Sequence, residues 1–264
     1  MSVSARHIAI DLGASGGRVA LGGITDGVLD FDILHRFPNR AVPIGRYLYW
    51  NILELWREIR AGLHLAAQNG PVASIGVTTW GVDYALLDQD RLPIDMVHSY
   101  RDGRTGGVYD AIETIMPRAD IYRATGIQFL PINTLPQLVA ARRDAPHLFD
   151  RAAHFLMLPD LLNFWLCGII AGEHTNASTT QLYDPVRRAW ADGLLDAFEI
   201  PRAIFPNLVE PGTILGPLLP EIARDAGLAG AVVVAPASHD TSSAVAAIPA
   251  EDDGTDWAYV SSGT

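Results

Sequence analysis

The chain has 264 residues, 49% of them hydrophobic, enough to bury a sizeable core in one large domain or two smaller ones. Its 19 basic residues face 30 acidic ones, a net charge of −11, and no basic run occurs, so a nucleic-acid or anionic-membrane partner is not expected. All 19 are arginine, which excludes a Walker A lysine and a Schiff-base lysine, and the single Cys167 excludes an intramolecular disulfide.

The first residues, MSVSARHIAIDLG, lack a charged stretch ahead of a long apolar run, since Asp11 interrupts the first one. A cytoplasmic protein is expected. HIAIDLG, GRVALGGI and VLDFDILHRF read as three short strands joined by hairpins, an antiparallel meander unlike a βαβ start. Asn51 then caps a helix whose apolar positions Ile52, Leu55, Trp56, Ile59, Leu63 and Ala66 fall at helical spacing, ending near Asn69 and Gly70. ASIGVTTWG reads as a buried strand, and helices are expected around 105–117, 133–144 and 159–170. The most apolar stretch, from Phe155, contains Pro159, Asp160 and Asn163, which suits a core helix and not a membrane span. The segment holding Pro201, Pro206, Pro211 and Pro217 reads as less regular and is expected to wrap the domain's surface. AVVVAP is a strand, SHDT a turn, and a helix is expected from Ser242. EDDGTD reads as a linker, and WAYVSSGT as the start of a further strand and glycine turn.

Three places carry candidate chemistry. In DLGASGGR a strand delivers Asp11 to a glycine-rich hairpin whose backbone N–H groups can face an anion. A plain hairpin with glycines at positive φ is the alternative. The spacing matches neither the dinucleotide fingerprint nor the P-loop, and a strand follows it. A carboxylate beside a phosphate calls for a divalent cation, usually hydrated Mg²⁺, between them. In SHDT, Asp240 leaves a strand at a turn and is the best general-base candidate, the alternative being an acid at the start of a helix. In TTWGVD an aromatic ring, Gly81 and a carboxylate suit a polyol, as Trp80 would cover an apolar face and Asp83 would accept hydroxyls. A tight turn after a strand explains it as well.

Six segments in order, DLGASGGR, TTWGVDYALLD, YRDGRT, TGIQFLPINTLPQL, SHDT and VSSGT, resemble the FGGY carbohydrate kinases over essentially the whole chain. TTWGVDYALLD with YRDGRT looks most like the rhamnulose kinases within that family, the fuculose kinases being next. The resemblance implies an α/β, actin-like ATPase (ribonuclease H-like) fold with a mixed sheet flanked by helices, and a cleft for ATP and a ketose. Residues 1–248 would form the N-terminal sugar- and phosphate-binding lobe, and 249–264 the linker and first strand of a truncated C-terminal lobe. By the same resemblance Asp11 would organise Mg²⁺ through water, and Gly13, Ala14, Ser15, Gly16, Gly17 and Arg18 would hold the terminal phosphates. Gly81, with Trp80 and Asp83, would lie against the sugar, as would His239, Asp240 and Thr241. Asp240 would act as the base in making the sugar 1-phosphate, and Thr264 matches a second phosphate loop.

Two departures stand out. Gly16 occupies a position where rhamnulose kinases usually carry a second serine, and the sequence stops after SSGT, where the family continues with a lobe carrying the adenosine pocket. A kinase whose 264-residue chain is inactive alone is therefore expected, against a non-catalytic sugar-binding domain. Gln128, Phe129 and Asn133 are further candidates for reading the ketose.

Overall fold

The computed structural model describes residues 5–250 and 257–261. In chain order the strands and helices open with β1 (Arg6–Leu12), β2 (Gly16–Thr25), β3 (Val28–Pro38), β4 (Ala41–Ile44), β5 (Tyr47–Trp50), α1 (Ile52–Ala67), β6 (Val72–Thr79) and β7 (Tyr84–Leu87). There follow α2 (Val108–Ile115), α3 (Arg118–Thr125), α4 (Thr134–Asp144), α5 (His147–Arg151), β8 (His154–Met157), α6 (Leu158–Cys167), β9 (Gly172–Glu173) and α7 (His174–Ala177). The last are β10 (Tyr183–Asp184), β11 (Ala189–Trp190), α8 (Asp192–Ala197), β12 (Leu208–Val209), β13 (Thr213–Pro217), α9 (Pro220–Ala226), β14 (Val232–Ala235) and α10 (Asp240–Ala246).

Six strands make one mixed sheet in the order β13-β14-β6-β1-β2-β3. The meander β1–β2–β3 is antiparallel, whereas β1, β6 and β14 are mutually parallel. Parallel strands end at the same edge, so the loops after β1, β6 and β14 meet there, and these are the loops carrying Gly13, Gly81 and Asp240. Topology alone thus gathers three segments far apart in sequence.

The expected α1 forms because Asn51 accepts the Glu54 N–H at 3.3 Å and the apolar positions line one face. Ile52, Leu55, Ile59, Leu63 and Ala66 are buried, each isoleucine or leucine side chain contributing ~1.5–3 kcal/mol relative to exposure. This face joins the sheet, α6 and α9 in one core, with Ile8, Ile10, Leu12, Val19, Ile75 and Val77 at its centre. A second core forms around Tyr84, Leu86, Ile112, Ile121, Leu138 and Phe155, joining β7, β8, α2, α3 and α4 to the segment that runs through Phe205. On the outer end of the meander Ile24, Leu29 and Phe31 remain exposed.

Three expectations change. The proline-rich segment is not wholly irregular, because its β13 pairs with β14 and completes the sheet edge. The last helix begins at Asp240 with His239 as its cap, two residues before Ser242. Residues 257–261 form no strand, and Thr264 lies outside the described residues.

Candidate active site

Asp11 stands on the sheet face directly between Arg18 on β2 and Thr78 on β6. Arg18 Nε donates to Asp11 Oδ2 at 2.7 Å and Thr78 Oγ1 to Oδ1 at 3.3 Å. About a third of the Asp11 side chain stays exposed, so this ion pair is worth little in stability and the carboxylate remains accessible.

The loop after Asp11 is closed by Gly13 N–H donating to the Gly16 carbonyl at 2.9 Å. Asn39, which sequence reasoning missed, is 4% exposed and holds the loop from behind: its Nδ2 donates to the Gly13 carbonyl at 2.9 Å and its N–H to the Ser15 carbonyl at 3.1 Å. Engaging three carbonyls internally removes the acceptors that would repel an anion. None of Gly13, Gly16 and Gly17 has positive φ, so the turn-conformation explanation for these glycines does not hold. Close packing explains Gly17 instead, because a Cβ there would lie 2.3 Å from the Phe37 ring. Gly17→Ala is expected to lower stability by about 1–3 kcal/mol through overpacking, read as a shift of the urea midpoint. An unchanged midpoint would show that Phe37 can move aside.

One polar cleft of about 610 Å³ is lined by Asp11, Gly13, Ser15, Gly16, Gly17, Arg18, Arg36, Phe37, Asp240, Thr241, Ala244 and Ser261. Arg36 was not foreseen, although it sits opposite Arg18 in the hairpin register and strand alternation would have found it. Two arginines give the cleft the cations that a chain without lysine must find elsewhere. Asp240, 39% exposed, is the first residue of α10, and its Oδ1 accepts from Thr241 N at 2.6 Å and from Thr241 Oγ1 at 3.2 Å. Among the described residues nothing donates to Asp240 Oδ2. His239 Nε2 lies 3.4 Å from Asp240 Oδ1, and burial lowers the His239 pKa, although Asp240 and Glu173 pull it up.

The Trp80–Asp83 turn lies beside the Asp240 turn, because Thr79 and His239 form a parallel bridge. Its interior differs from the direct sugar contacts expected of Trp80 and Asp83. Trp80 is 6% exposed with its ring 4.5 Å from Trp50, and Asp83 is fully buried. Asp83 Oδ2 accepts from Trp50 Nε1, Trp80 Nε1 and Tyr100 N, and Oδ1 from Gln137 Nε2. Burial pushes this carboxyl up to about 6 despite those bonds. These side chains shape the turn and offer no free surface. Asp83 N–H closes a three-residue turn onto the Gly81 carbonyl at 2.9 Å, with Val82 at φ 68°, a rare conformation for a β-branched residue. Thr179 Oγ1 on Val82 N and Thr134 Oγ1 on the Val82 carbonyl hold it there, and strain over-determined in this way marks functional loops. A Cβ on Gly81 would lie 2.7 Å from Thr179, so only glycine fits. Asn133 Nδ2 donates to the Gln128 carbonyl and Phe129 packs on Tyr109, and the next residue after Asn133, Thr134, joins this segment to the Val82 turn.

Among the described residues no group of three or more His, Cys, Asp or Glu side chains converges on a metal position. The part-exposed Asp11 carboxylate fits a Mg²⁺ ion that keeps several waters, as it usually does beside substrate phosphates.

Residues 7–247 match the FGGY family of carbohydrate kinases, N-terminal domain. The chain is 38% identical over 260 residues to a rhamnulokinase of Oceanobacillus iheyensis, covering 98% of this chain and 54% of that protein. It is 43% identical over 267 residues to a rhamnulokinase of Klebsiella pneumoniae, covering 99% and 53%. It thus spans about half the length of the curated relatives it matches. Among solved structures, a carbohydrate kinase from Novosphingobium aromaticivorans superposes with TM-score 0.80 at 24% identity, covering 93% of this chain and 50% of that one. A gluconate kinase from Lactobacillus acidophilus gives 0.78 at 15%, covering 89% and 48%. These neighbours establish the actin-like fold.

Proposed function

The chain belongs to the FGGY family of carbohydrate kinases, matching its N-terminal domain, and from that premise we propose that it forms the sugar- and phosphate-binding half of an ATP-dependent ketose kinase. The proposed reaction converts L-rhamnulose to L-rhamnulose 1-phosphate. The observation that carries it is the single cleft holding the glycine loop, Asp11 and Asp240 together. The choice of sugar is supported by rhamnulokinases 38% and 43% identical across nearly the whole chain.

ATP with Mg²⁺ supplies the transferable phosphoryl group and the divalent charge that neutralises its oxygens. The loop of residues 13–17, whose Gly13 N–H is already engaged by the Gly16 carbonyl, would meet the terminal phosphates together with Arg18 and Arg36, and Asp11 would hold the cation through water. Gly81 offers backbone to the sugar, while His239 and Thr241 flank it. Asp240 takes up the proton through Oδ2 as the primary hydroxyl oxygen forms its bond to phosphorus and ADP leaves. Because Oδ1 is engaged by Thr241, the carboxylate is held with one oxygen free for that proton. Use of ATP supports a cytoplasmic location, and no helix among the described residues is long and apolar enough to cross a membrane.

ADP release by the full-length protein, measured with L-rhamnulose, L-fuculose and D-xylulose, tests the reading. L-Rhamnulose is expected to give the highest kcat/KM. Preference for another ketose reassigns the sugar, whereas sugar-independent ATP hydrolysis overturns the kinase reading. Residues 1–264 alone are expected to give no turnover, for want of the second wall that excludes water and aligns the phosphates.

A further inference from the structure

The short segment from Glu173 to Thr179 touches both turns that face the cleft. Glu173 is the last residue of β9, caps α7 and is fully buried. Its Oε2 accepts from Ser238 N at 2.9 Å, Ser238 Oγ at 2.7 Å and Thr175 Oγ1 at 2.5 Å, and its Oε1 from Thr175 N at 2.7 Å. Thr175 Oγ1 in turn accepts the His239 N–H at 3.2 Å. The two residues preceding Asp240 are therefore fastened to one carboxylate, directly and through one hydroxyl. From the other side Thr79 N–H donates to the Ser238 carbonyl at 2.9 Å.

Four residues beyond Thr175, Thr179 accepts the Val82 N–H at 3.0 Å and packs on Gly81. One end of the segment thus holds the turn carrying Asp240, and the other holds the turn proposed to meet the sugar. Beneath it Asp160, 3% exposed, accepts the Glu173 N–H at 3.2 Å. Burial and the adjacent Glu173 push the Asp160 carboxyl well above its usual range.

We propose that Glu173 is a positioning residue for phosphoryl transfer: its buried carboxylate, relayed by Thr175, fixes the Ser238–Asp240 turn in register with Gly81 so that the base meets the sugar hydroxyl. This rests on the reading of Asp240 as the base. A misplacement on the order of 1 Å at a reacting group can cost ~10²-fold in rate, so a hydrogen-bonded clamp one residue away has that leverage. A clamp that served stability alone would change the melting temperature and leave the folded enzyme's turnover intact.

The test uses the full-length protein with the ketose it turns over best, measuring kcat, both KM values and Tm. Glu173→Gln replaces one acceptor oxygen with a donor facing donors and is expected to lower kcat about 10–100-fold, with both KM values within about three-fold of wild type. Thr175→Val, isosteric with threonine, removes the relaying hydroxyl, whereas Thr175→Ser keeps the hydroxyl and loses only a methyl group. The valine variant is expected to lose kcat and the serine variant to keep it, and this pair decides the matter if Glu173→Gln does not fold. Folded Glu173→Gln or Thr175→Val with wild-type kcat, beside an inactive Asp240→Asn, overturns the positioning role and leaves the base assignment standing. Wild-type turnover in Asp240→Asn overturns the base assignment itself, and the positioning role with it.

Discussion

Asp240→Asn in the full-length protein is expected to lower kcat by about 10²–10⁴-fold, the usual contribution of a positioned general base, with sugar KM within about three-fold of wild type. The substitution keeps shape and volume, and the side-chain oxygen can still accept the Thr241 N–H that now binds Oδ1. What it removes is the free oxygen's capacity to take a proton. The alternative role, an acid at the start of α10, has its own signature. Losing a charge at a helix N-terminus costs ~0.3–1 kcal/mol and does not touch turnover. A variant with normal kcat and a slightly lower melting temperature would identify Asp240 as helix-terminal only. The burial-lowered pKa of His239 favours its neutral form near pH 7, so it adds no positive charge beside the base.

Much of this cleft was legible because strand ends are legible. A glycine hairpin after an apolar run, TTWG and SHDT each close a buried strand, and in a sheet with β1, β6 and β14 parallel those closures share one edge. Burial was harder to read. TTWGVD looks alike whether Trp80 and Asp83 face a sugar or the core, and what turns them inward is Trp50, Tyr100 and Gln137, whose proximity is purely tertiary. Asn39 and Glu173 were missed for the same reason. Asn39, between β3 and β4, and Glu173, in a two-residue strand, show no periodicity, and the bonds that tie them to the cleft reach Gly13, Ser15 and Ser238, distant in sequence. Arg36 is different: once Arg18 is placed and the hairpin register counted, it follows from the alternation of β3.

Asp83→Ala is expected to destabilise the chain by about 3–5 kcal/mol, because it strands two indole N–H groups, a backbone N–H and an amide in a buried site. The urea midpoint of the 264-residue chain reads this directly. Asp83→Asn is milder and more informative, since it keeps an acceptor for the indoles and cannot titrate. The folded pKa of Asp83, about 6, lies above its value in an unfolded chain, ~3.9. Between those values the native state binds more protons than the unfolded state, so the stability this group contributes is full below ~3.9 and is lost as pH rises through about 6. The stability of wild type relative to Asp83→Asn should accordingly fall by about 2 kcal/mol between pH 4 and pH 7, with other titrations cancelling in the difference. A pH-independent difference would mean that the four donors hold Asp83 ionised throughout, and that the pocket formed by Trp50 and Trp80 is more polar than its burial indicates.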